Sequence, residues 1–316
     1  MVWADGVLYQ SRDIAQSVHA IVASPADGGD STTLVLNDFA TGMWVEGDNL
    51  LYSHGDQLMQ VPRVGGDVTT ILDGGPGSPS DPNVAPGLAG AFSTPLLDSS
   101  HFYWTTWNVS GDGFSHVWRL PRAGGPVEGF TPIPMQTAVG FAVLPDGALV
   151  VGEHPAASAP LWDTFVAPFG GGNLRQLAPI LGTFISVDSA GALWSECRST
   201  SDSSELTCAV MVSPADGSPA VPLSHDLPNL FQVGRGISDG QGGYFLTGYE
   251  SFDDGRSHFS VFLVDNAGSA TRLACDPGTD FSYSRMSAVA PSALYLAVNH
   301  TPGWTIVKIP RTLQKP

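Results

Sequence analysis

The sequence is short of lysine and of long apolar segments. Only two of its 316 residues are lysines, Lys308 and Lys315, and 13 basic residues stand against 30 acidic ones, which gives a formal net charge of −17. Such an acidic surface repels the phosphates of nucleic acids and of anionic lipids, so we expect neither as a partner. No apolar run approaches the roughly 18 residues that span a bilayer, and no signal peptide opens the chain. We therefore expect no membrane span.

Cysteine is also scarce, and three cysteines are too few for the usual four-ligand structural zinc site. Cys197 and Cys208 flank a polar segment. A disulfide across a hairpin at this spacing would stabilise the fold by about 2–3 kcal/mol on the loop-closure account. The alternative is a pair of thiols at the ends of two strands, and Cys275 stands alone. The spacing leaves both alternatives open.

Glycine and proline are abundant, at 37 and 25 residues, and they recur at regular intervals. Residues 58–68 read LMQVPRVGGDV, and residues 117–127 read VWRLPRAGGPV. An apolar pair followed by a glycine-containing turn occurs six times along the chain with a period of about 45 residues, and a seventh apolar pair, Leu294-Tyr295, is followed by Ile-Pro-Arg at residues 309–311. The Gly-Gly pairs are typical of tight hairpin turns, because glycine adopts positive φ without steric cost.

Each copy alternates apolar residues with turn signals in a way that indicates four short strands and almost no helix. A repeat of about 45 residues with four strands is the blade of a β-propeller. The sequence therefore predicts an all-β fold, a seven-bladed β-propeller of four-stranded blades that forms a single domain over residues 1–316. The expected blades cover residues 1–36, 37–73, 89–131, 137–178, 183–224, 231–274 and 284–311.

The seventh copy lacks an outer strand, because only Arg-Thr-Leu-Gln-Lys-Pro follows its third strand. The last blade is therefore predicted to be incomplete or closed non-covalently. Propellers usually close with a strand from one terminus, and this chain begins at the first inner strand. We expect a secretion signal and a closing strand to precede residue 1 in a longer protein. The alternative is a three-stranded last blade.

Residues 102–106, Phe-Tyr-Trp-Thr-Thr, followed by VWRLPRAGG at 117–125, resemble the repeats of YWTD-like β-propellers. Such repeats occur in secreted proteins and lipoproteins of GC-rich bacteria. The resemblance implies the propeller fold and a secreted or periplasmic, bacterial setting, with the signal sequence absent from these 316 residues. It carries over no catalytic residue. Propellers of that family have six blades, and Tyr-Trp-Thr is complete in only one copy here.

Propellers place their functional groups around one face, in the loops that lead from the second strand to the third and from each blade to the next. Exposed aromatic rings there stack on sugars or anchor a protein partner. Polar side chains near the channel mouth add hydrogen bonds. The residues that we predict to bind a ligand are Asp38, Gln136, Gln232, Trp107, Tyr249 and Trp304.

A catalytic alternative rests on Arg235 and Arg285, which lie on or near the inner strands of neighbouring blades. Arginine that neutralises a carboxylate, with Tyr283 or a loop histidine such as His154 as base, would suit β-elimination on an acidic sugar. This set describes a polysaccharide lyase or hydrolase. The simpler interpretation is that each arginine pairs with Asp280 or another carboxylate and joins two blades.

A third alternative is a metal-dependent enzyme, since His54, His154 and His300 lie in loops of three different blades. Imidazoles that turn inward from those loops would bind a divalent ion. The motif Asp-Gly-x-Ser-His starts at Asp112 and again at Asp254, which adds two possible ligands. Its simpler interpretation is a hairpin turn whose Ser-His begins a strand. No other cofactor is predicted.

The sequence favours an extracytoplasmic binding or scaffolding protein that recognises a glycan or a protein through one propeller face. The lyase or hydrolase and the metal-dependent enzyme remain as alternatives. These functions differ in whether the candidate side chains lie together, because an enzyme needs a base and charge-stabilising groups in one pocket. The oligomeric state is not indicated, and we expect a monomer.

Overall fold

The structure, a computed structural model, contains only strands, turns and loops in the part of the chain that it describes. At several strand ends only the backbone is described, which applies to Trp107, Gln232, His300 and Trp304. The described residues are 1–15, 18–40, 42–54, 57–73, 96–107, 114–130, 132–135, 138–153, 162–169, 171–199, 206–224, 227, 230–251, 257–276, 287–300 and 303–311.

The chain divides into two compact units, of which the first contains Met1–Pro155 and Phe165–Gln176. It holds three complete four-stranded antiparallel sheets and most of a fourth. The strands are β1 (Val2–Ala4), β2 (Val7–Ala15), β3 (Val18–Pro25), β4 (Thr32–Leu36), β5 (Gly42–Glu46), β6 (Asn49–His54), β7 (Gln57–Pro62), β8 (Thr69–Asp73), β9 (Leu96–Leu97), β10 (His101–Trp107), β11 (Ser115–Pro121), β12 (Glu128–Gly129), β13 (Ala138–Leu144), β14 (Gly147–Glu153), β15 (Trp162–Pro168) and β16 (Arg175–Gln176).

The second unit contains Ala156–Thr164 and Leu177–Pro316. Its strands are β17 (Thr183–Val187), β18 (Gly191–Ser199), β19 (Leu206–Pro214), β20 (Val221–Pro222), β21 (Leu230–Ser238), β22 (Tyr244–Ser251), β23 (Ser257–Val264), β24 (Ala270–Asp276), β25 (Ser287–Ala290), β26 (Ala293–His300) and β27 (Gly303–Pro310). Strand β19 also pairs with β21 at Cys208 and Leu230, which makes the fifth and sixth sheets continuous.

The predicted fold class is confirmed: the protein is an all-β, seven-bladed β-propeller. In the residues that the structure describes, six blades have four strands, and the last blade has three, β25, β26 and β27. No helix long and apolar enough to cross a membrane occurs among the described residues.

The repeated Pro-x-x-Gly-Gly segments are the turns that lead from the third strand of a blade to the fourth. At the first of the two quoted copies, Gly65 and Gly66 have φ values of +86° and +140°. The N–H of Gly65 donates to the carbonyl of Pro62 at 2.9 Å. A Cβ on Gly66 would meet the Pro62 ring at 3.5 Å. Residues 121–125 repeat this geometry, so the positive φ predicted for the Gly-Gly pairs is confirmed.

The Tyr-Trp-Thr segment that carries the family resemblance is core. Tyr103, Trp104 and Thr105 are each 1% exposed. Trp104 packs with Leu51 and Leu58 of the second blade in an apolar cluster. Clusters of this kind lie between successive blades within each unit. The repeated apolar residues therefore stabilise the fold by packing in the core. The Tyr-Trp-Thr motif is part of this core and not of a functional site.

Arginines that directly follow a third strand join successive blades. Arg63 follows the third strand of the second blade, and it binds Asp5 at 2.8 Å and the Tyr9 hydroxyl at 2.7 Å, both in the first blade. These hydrogen bonds to Tyr9 and Asp5 raise the pKa of Arg63. Arg122 of the third blade pairs with Glu46 of the second.

The same arrangement recurs in the second unit, where Arg311 of the seventh blade pairs with Asp239 of the sixth. The Arg311 guanidinium also lies 5.8 Å from the centre of the Phe245 ring. The sequence analysis considered a joining role for Arg235 and Arg285, of which Arg285 lies outside the described residues. Arg63, Arg122 and Arg311 have this role in the structure.

Cys197 and Cys208 form a disulfide. They face each other in register on β18 and β19, with their Cα atoms 3.9 Å apart. The bond links the two strands of the hairpin beside the polar segment that connects them. Of the two alternatives that the spacing left open, the disulfide is the correct one, and Cys275 is an exposed thiol.

Candidate functional site

The loop between β4 and β5 connects the first blade to the second and carries the candidate site. Asn37 adopts a left-handed φ of +61°, which reverses the chain after β4. Its N–H donates to the carbonyl of His19 at 2.9 Å, and the N–H of Ala40 donates to Ser11 Oγ at 3.0 Å. These bonds hold Asp38 and Phe39 at a defined place beside the ends of β2, β3 and β6.

Asp38 is oriented from three directions. Its Oδ2 accepts a hydrogen bond from the Tyr52 hydroxyl at 2.8 Å, and its Oδ1 accepts the Phe39 N–H at 2.8 Å. His54 Nδ1 pairs with the same Oδ1. Burial raises the pKa of Tyr52 to about 12, so its hydroxyl is protonated at neutral pH and donates. The Asp38 side chain is 15% exposed and that of His54 is 49% exposed, so the carboxylate is held inside and the imidazole faces solvent.

Phe39 stands on the other side of Asp38 and is 48% exposed. Its ring makes an edge contact with the His19 ring, with 5.7 Å between the ring centres. His19 Nδ1 in turn pairs with Asp13, which lies opposite it on β2. The Asp13 side chain is 70% exposed and that of His19 is 47% exposed. The exposed ring thus contacts one histidine–carboxylate pair, and the backbone N–H of the same residue bonds to the carboxylate of the other pair.

We refer to these six residues as the loop site: Asp13, His19, Asp38, Phe39, Tyr52 and His54. Within the described part of the chain, both carboxylates pair with histidine rather than with arginine or lysine. The site therefore offers one aromatic face, carboxylate oxygens and imidazole nitrogens. These groups suit a ligand that carries hydroxyl or amino groups on an apolar scaffold.

The structure brings together two residues that the sequence singled out for different reasons. Asp38 was predicted to bind a ligand and His54 to bind a metal, and the two form one pair. Sequence reasoning missed Asp13, His19, Phe39 and the role of Tyr52. The usable signal was positional, because residues at the end of a second strand, the start of a third strand and the connection between blades share one face of a propeller.

Two other predicted residues have described side chains. Tyr249 is half-buried on β22, where its ring contacts Phe259 edge-on with 5.7 Å between centres. Arg235 is exposed on β21 beside a register shift, and its N–H donates to Thr247 Oγ1 at 3.1 Å. Both residues belong to the second unit and not to the loop site.

The remaining candidates are described only in part or not at all. For Gln232, Trp107, Trp304 and His300 the structure describes the backbone alone, within β21, β10, β27 and β26. In the described residues, no group of three or more His, Cys, Asp or Glu side chains is arranged to hold a metal ion. The candidates that lie outside the described residues are Gln136, His154, Asp112, Asp254, Asp280, Tyr283 and Arg285.

A second polar cluster lies on the sixth blade. Glu250 is 2% exposed. Its two oxygens accept hydrogen bonds from Ser260 Oγ and Arg272 Nη2, each at 2.5 Å. A buried carboxylate needs such partners to remain charged. We therefore interpret this cluster as structural.

No protein-family model and no curated protein matches the chain. Solved structures match along nearly its whole length. The β-propeller domain of the trilobed protease from Pyrococcus furiosus, which has an open velcro topology, is 12% identical with a TM-score of 0.62, and the match covers 98% of this chain and 95% of that one. An oligogalacturonate lyase in complex with manganese is 12% identical with a TM-score of 0.64, and the match covers 98% of this chain and 88% of the lyase.

The acylaminoacyl peptidase of Pyrococcus horikoshii is 13% identical with a TM-score of 0.62, and the match covers 98% of this chain. The chain spans 50% of that peptidase and 53% of a puromycin hydrolase that it also resembles. At these identities the likeness shows the β-propeller fold alone. Peptidases and a lyase share this fold, so the function must be argued from the loop site.

Proposed function

We propose that the protein is a binding module that recognises a glycan through the loop site. The observation that carries the proposal is the exposed Phe39 ring, which contacts His19 of the Asp13–His19 pair and directly follows Asp38 of the Asp38–His54 pair in the chain. A sugar presents an apolar face that stacks on an aromatic ring, and hydroxyl groups around that face that bond to carboxylates and imidazoles. The loop site supplies both kinds of group side by side.

The proposed setting is secreted or periplasmic, and the proposed state is a monomer. The Cys197–Cys208 disulfide supports an oxidising compartment, since such bonds rarely persist in the cytosol. The net charge of −17 supports solubility as single molecules, because like charges on the surface resist association.

The test is calorimetric titration of neutral, basic and acidic oligosaccharides into the protein and into Phe39→Ala. Loss of an exposed stacking ring costs about 0.5–1.5 kcal/mol, so we expect binding to weaken roughly two- to twelvefold. Leu181→Ala is the matched control, because Leu181 is 69% exposed and lies in the second unit. Unchanged affinity in Phe39→Ala would refute the proposed site.

A second candidate function is a lyase in which His54 acts as the base. The observation that favours it is the orientation of Asp38 by Tyr52 and by the Phe39 N–H, because a general base works best when a fixed carboxylate orients it. His54 Nε2 would remove the proton next to the carboxylate of a uronic acid. The C–H electron pair would form the new C=C bond, and the glycosidic oxygen would leave with the C–O pair.

Activity on polygalacturonate, followed by ultraviolet absorbance of the unsaturated product, tests this candidate. His54→Gln is expected to abolish the activity and Asp38→Asn to lower kcat. His101→Gln is the control, since His101 begins β10 in the third blade and lies outside the loop site. Absence of any product from the unaltered protein would reject the lyase and leave the binding proposal standing.

A further inference from the structure

From the charge of the loop site we infer the class of its ligand: an amine-bearing oligosaccharide, such as one built from glucosamine, rather than an acidic one. This inference rests on the proposed glycan-binding function. It concerns only which glycans the loop site accepts.

The first support is the sign of the local charge. A histidine–carboxylate pair carries a net charge between −1 and zero as long as the carboxylate is ionised, so neither pair of the loop site attracts an anion. The Asp13 side chain is 70% exposed, and it presents this charge directly to solvent. The whole chain adds a net charge of −17, which draws cations toward the surface and repels acidic glycans.

The second support is the ring itself. An ammonium group within about 6 Å of an aromatic centre is attracted to the face of the ring. Phe39 is half exposed, and the carboxylate of Asp13 is linked to it through the His19 ring at 5.7 Å. An aminosugar on Phe39 would place its apolar face on the ring and its amine toward a carboxylate. A neutral sugar would gain the stacking but not the ion pair.

The third support is the position of the basic residues of the first unit. Arg12 is exposed, but it precedes Asp13 on β2, and neighbouring side chains of a strand point to opposite faces of the sheet. Arg63, Arg119 and Arg122 pair with Asp5, Glu128 and Glu46. These four arginines therefore do not reverse the sign of the charge at the loop site.

A lysine-rich peptide carries the same ammonium chemistry. We favour the glycan because the loop site is one ring surrounded by hydrogen-bonding groups. Stable peptide docking usually uses several apolar pockets or an open sheet edge. The experiment below makes the peptide a separate outcome.

Three oligosaccharides of equal length test the inference by titration at low salt: a glucosamine oligomer, its N-acetylated form and an oligogalacturonate. The pH is chosen so that the amines are protonated and the aspartates ionised. We expect the glucosamine oligomer to bind at least about fivefold more tightly than the N-acetylated form, and the oligogalacturonate to bind least. Because exposed charges are screened by salt, this preference is expected to shrink at high ionic strength.

Asp13→Asn should reduce the preference to less than about twofold and leave binding of the N-acetylated form almost unchanged. Asp67→Asn is the matched control, since it removes the same charge from an exposed residue after β7. If both variants lost the preference for the glucosamine oligomer equally, the net charge alone would set that preference, and the inference would be overturned.

The outcomes for the inference and for the proposed function can be told apart. If all three oligosaccharides bound equally well and Phe39→Ala weakened their binding, the inference would be overturned and the binding function would stand. Tightest binding of the oligogalacturonate would overturn it in favour of an acidic ligand. Displacement of the glucosamine oligomer by an equimolar lysine pentapeptide would replace the glycan with a basic peptide. No binding of any oligosaccharide would reject the proposed function itself.

Discussion

Asp98 shows how one residue fixes a local conformation. It lies in the turn between β9 and β10, where its Oδ1 accepts the N–H groups of Ser100 at 2.6 Å and His101 at 2.8 Å. Its Oδ2 accepts the Tyr103 hydroxyl at 2.6 Å. Burial alone would raise the pKa of Asp98, but the hydrogen bonds from Tyr103, Ser100 and His101 outweigh it and lower the pKa to about 2.

This shift predicts a defined acid dependence of stability. A carboxyl whose pKa is lower in the folded than in the unfolded state stabilises the fold above its unfolded value of 3.8, and this contribution is lost as the pH falls through about 2. We expect Asp98→Asn to lower the free energy of unfolding at pH 7 by about 1 kcal/mol, since solvent screens a half-buried site. Urea unfolding of both proteins at pH 7 and near pH 2.5 measures this.

The difference in the free energy of unfolding between the unaltered protein and Asp98→Asn should be smaller at the lower pH. Asp67→Asn, at an exposed turn residue, serves as the control. Parallel loss of stability in the unaltered protein and in Asp98→Asn between pH 4 and pH 2 would contradict the assigned role.

Asp38 and His54 show, at the same scale, how far sequence reasoning reaches. Both residue types and their loop positions are visible in the sequence, which is why each was singled out. Their pairing is not visible, because it depends on where the loop after β4 lies against the end of β6. Tyr52 looks like an ordinary apolar anchor until its hydroxyl is found 2.8 Å from Asp38.

At the scale of elements, the β18–β19 hairpin combines a local pattern with a covalent bond. The two strands face each other from Gly191 and Pro214 to Ser199 and Leu206, and the disulfide lies near the end at which the loop connects them. Such a bond stabilises mainly by restricting the unfolded chain. The hairpin also carries the pairing of Cys208 with Leu230 that joins it to β21.

Removal of the disulfide is predicted to cost about 3 kcal/mol, the loop-closure value for a loop of this size. The double variant Cys197→Ser/Cys208→Ser should show this loss in urea unfolding, and reducing agent should produce the same loss in the unaltered protein. Cys275→Ser controls for the exposed thiol. If the reduced and oxidised proteins unfold at the same urea concentration, the hairpin does not depend on the bond.

The turns after the third strands were fully predictable. Pro62 and Gly65–Gly66 specify the turn through φ preferences that belong to the residues themselves. Local chemistry of this kind does not depend on the rest of the fold, which is why the prediction holds.

At the scale of the whole molecule, ion pairs between successive blades supplement the apolar clusters. Arg311 and Asp239 are 72 residues apart in sequence, and the Asp239 side chain is 2% exposed. Asp239 also accepts the N–H groups of Gln241 at 2.7 Å and Gly243 at 2.8 Å. The pair between Arg63 and Asp5 has the same place in its blades, but there the Asp5 side chain is 78% exposed.

These two pairs predict different costs for the same substitution. Arg311→Met should destabilise the protein by about 3 kcal/mol, because it leaves a buried carboxylate without its cation. Arg63→Met should cost about 1–2 kcal/mol, because water replaces the arginine at Asp5 and the Tyr9 hydroxyl loses one hydrogen bond. Urea unfolding of both variants compares them directly. Equal losses of unfolding free energy in the two variants would show that burial of the carboxylate does not govern the strength of these ion pairs.

The sequence by itself determined the all-β class, the seven copies, the turns and the absence of an outer strand after the third strand of the last copy. These features follow from periodicity and from backbone preferences that act within a few residues. The tertiary structure decided which side chains meet: Asp38 with Tyr52 and His54, His19 with Phe39, and each joining arginine with a carboxylate of the preceding blade. Such contacts connect separate strands and blades, so they exist only once the blades have packed.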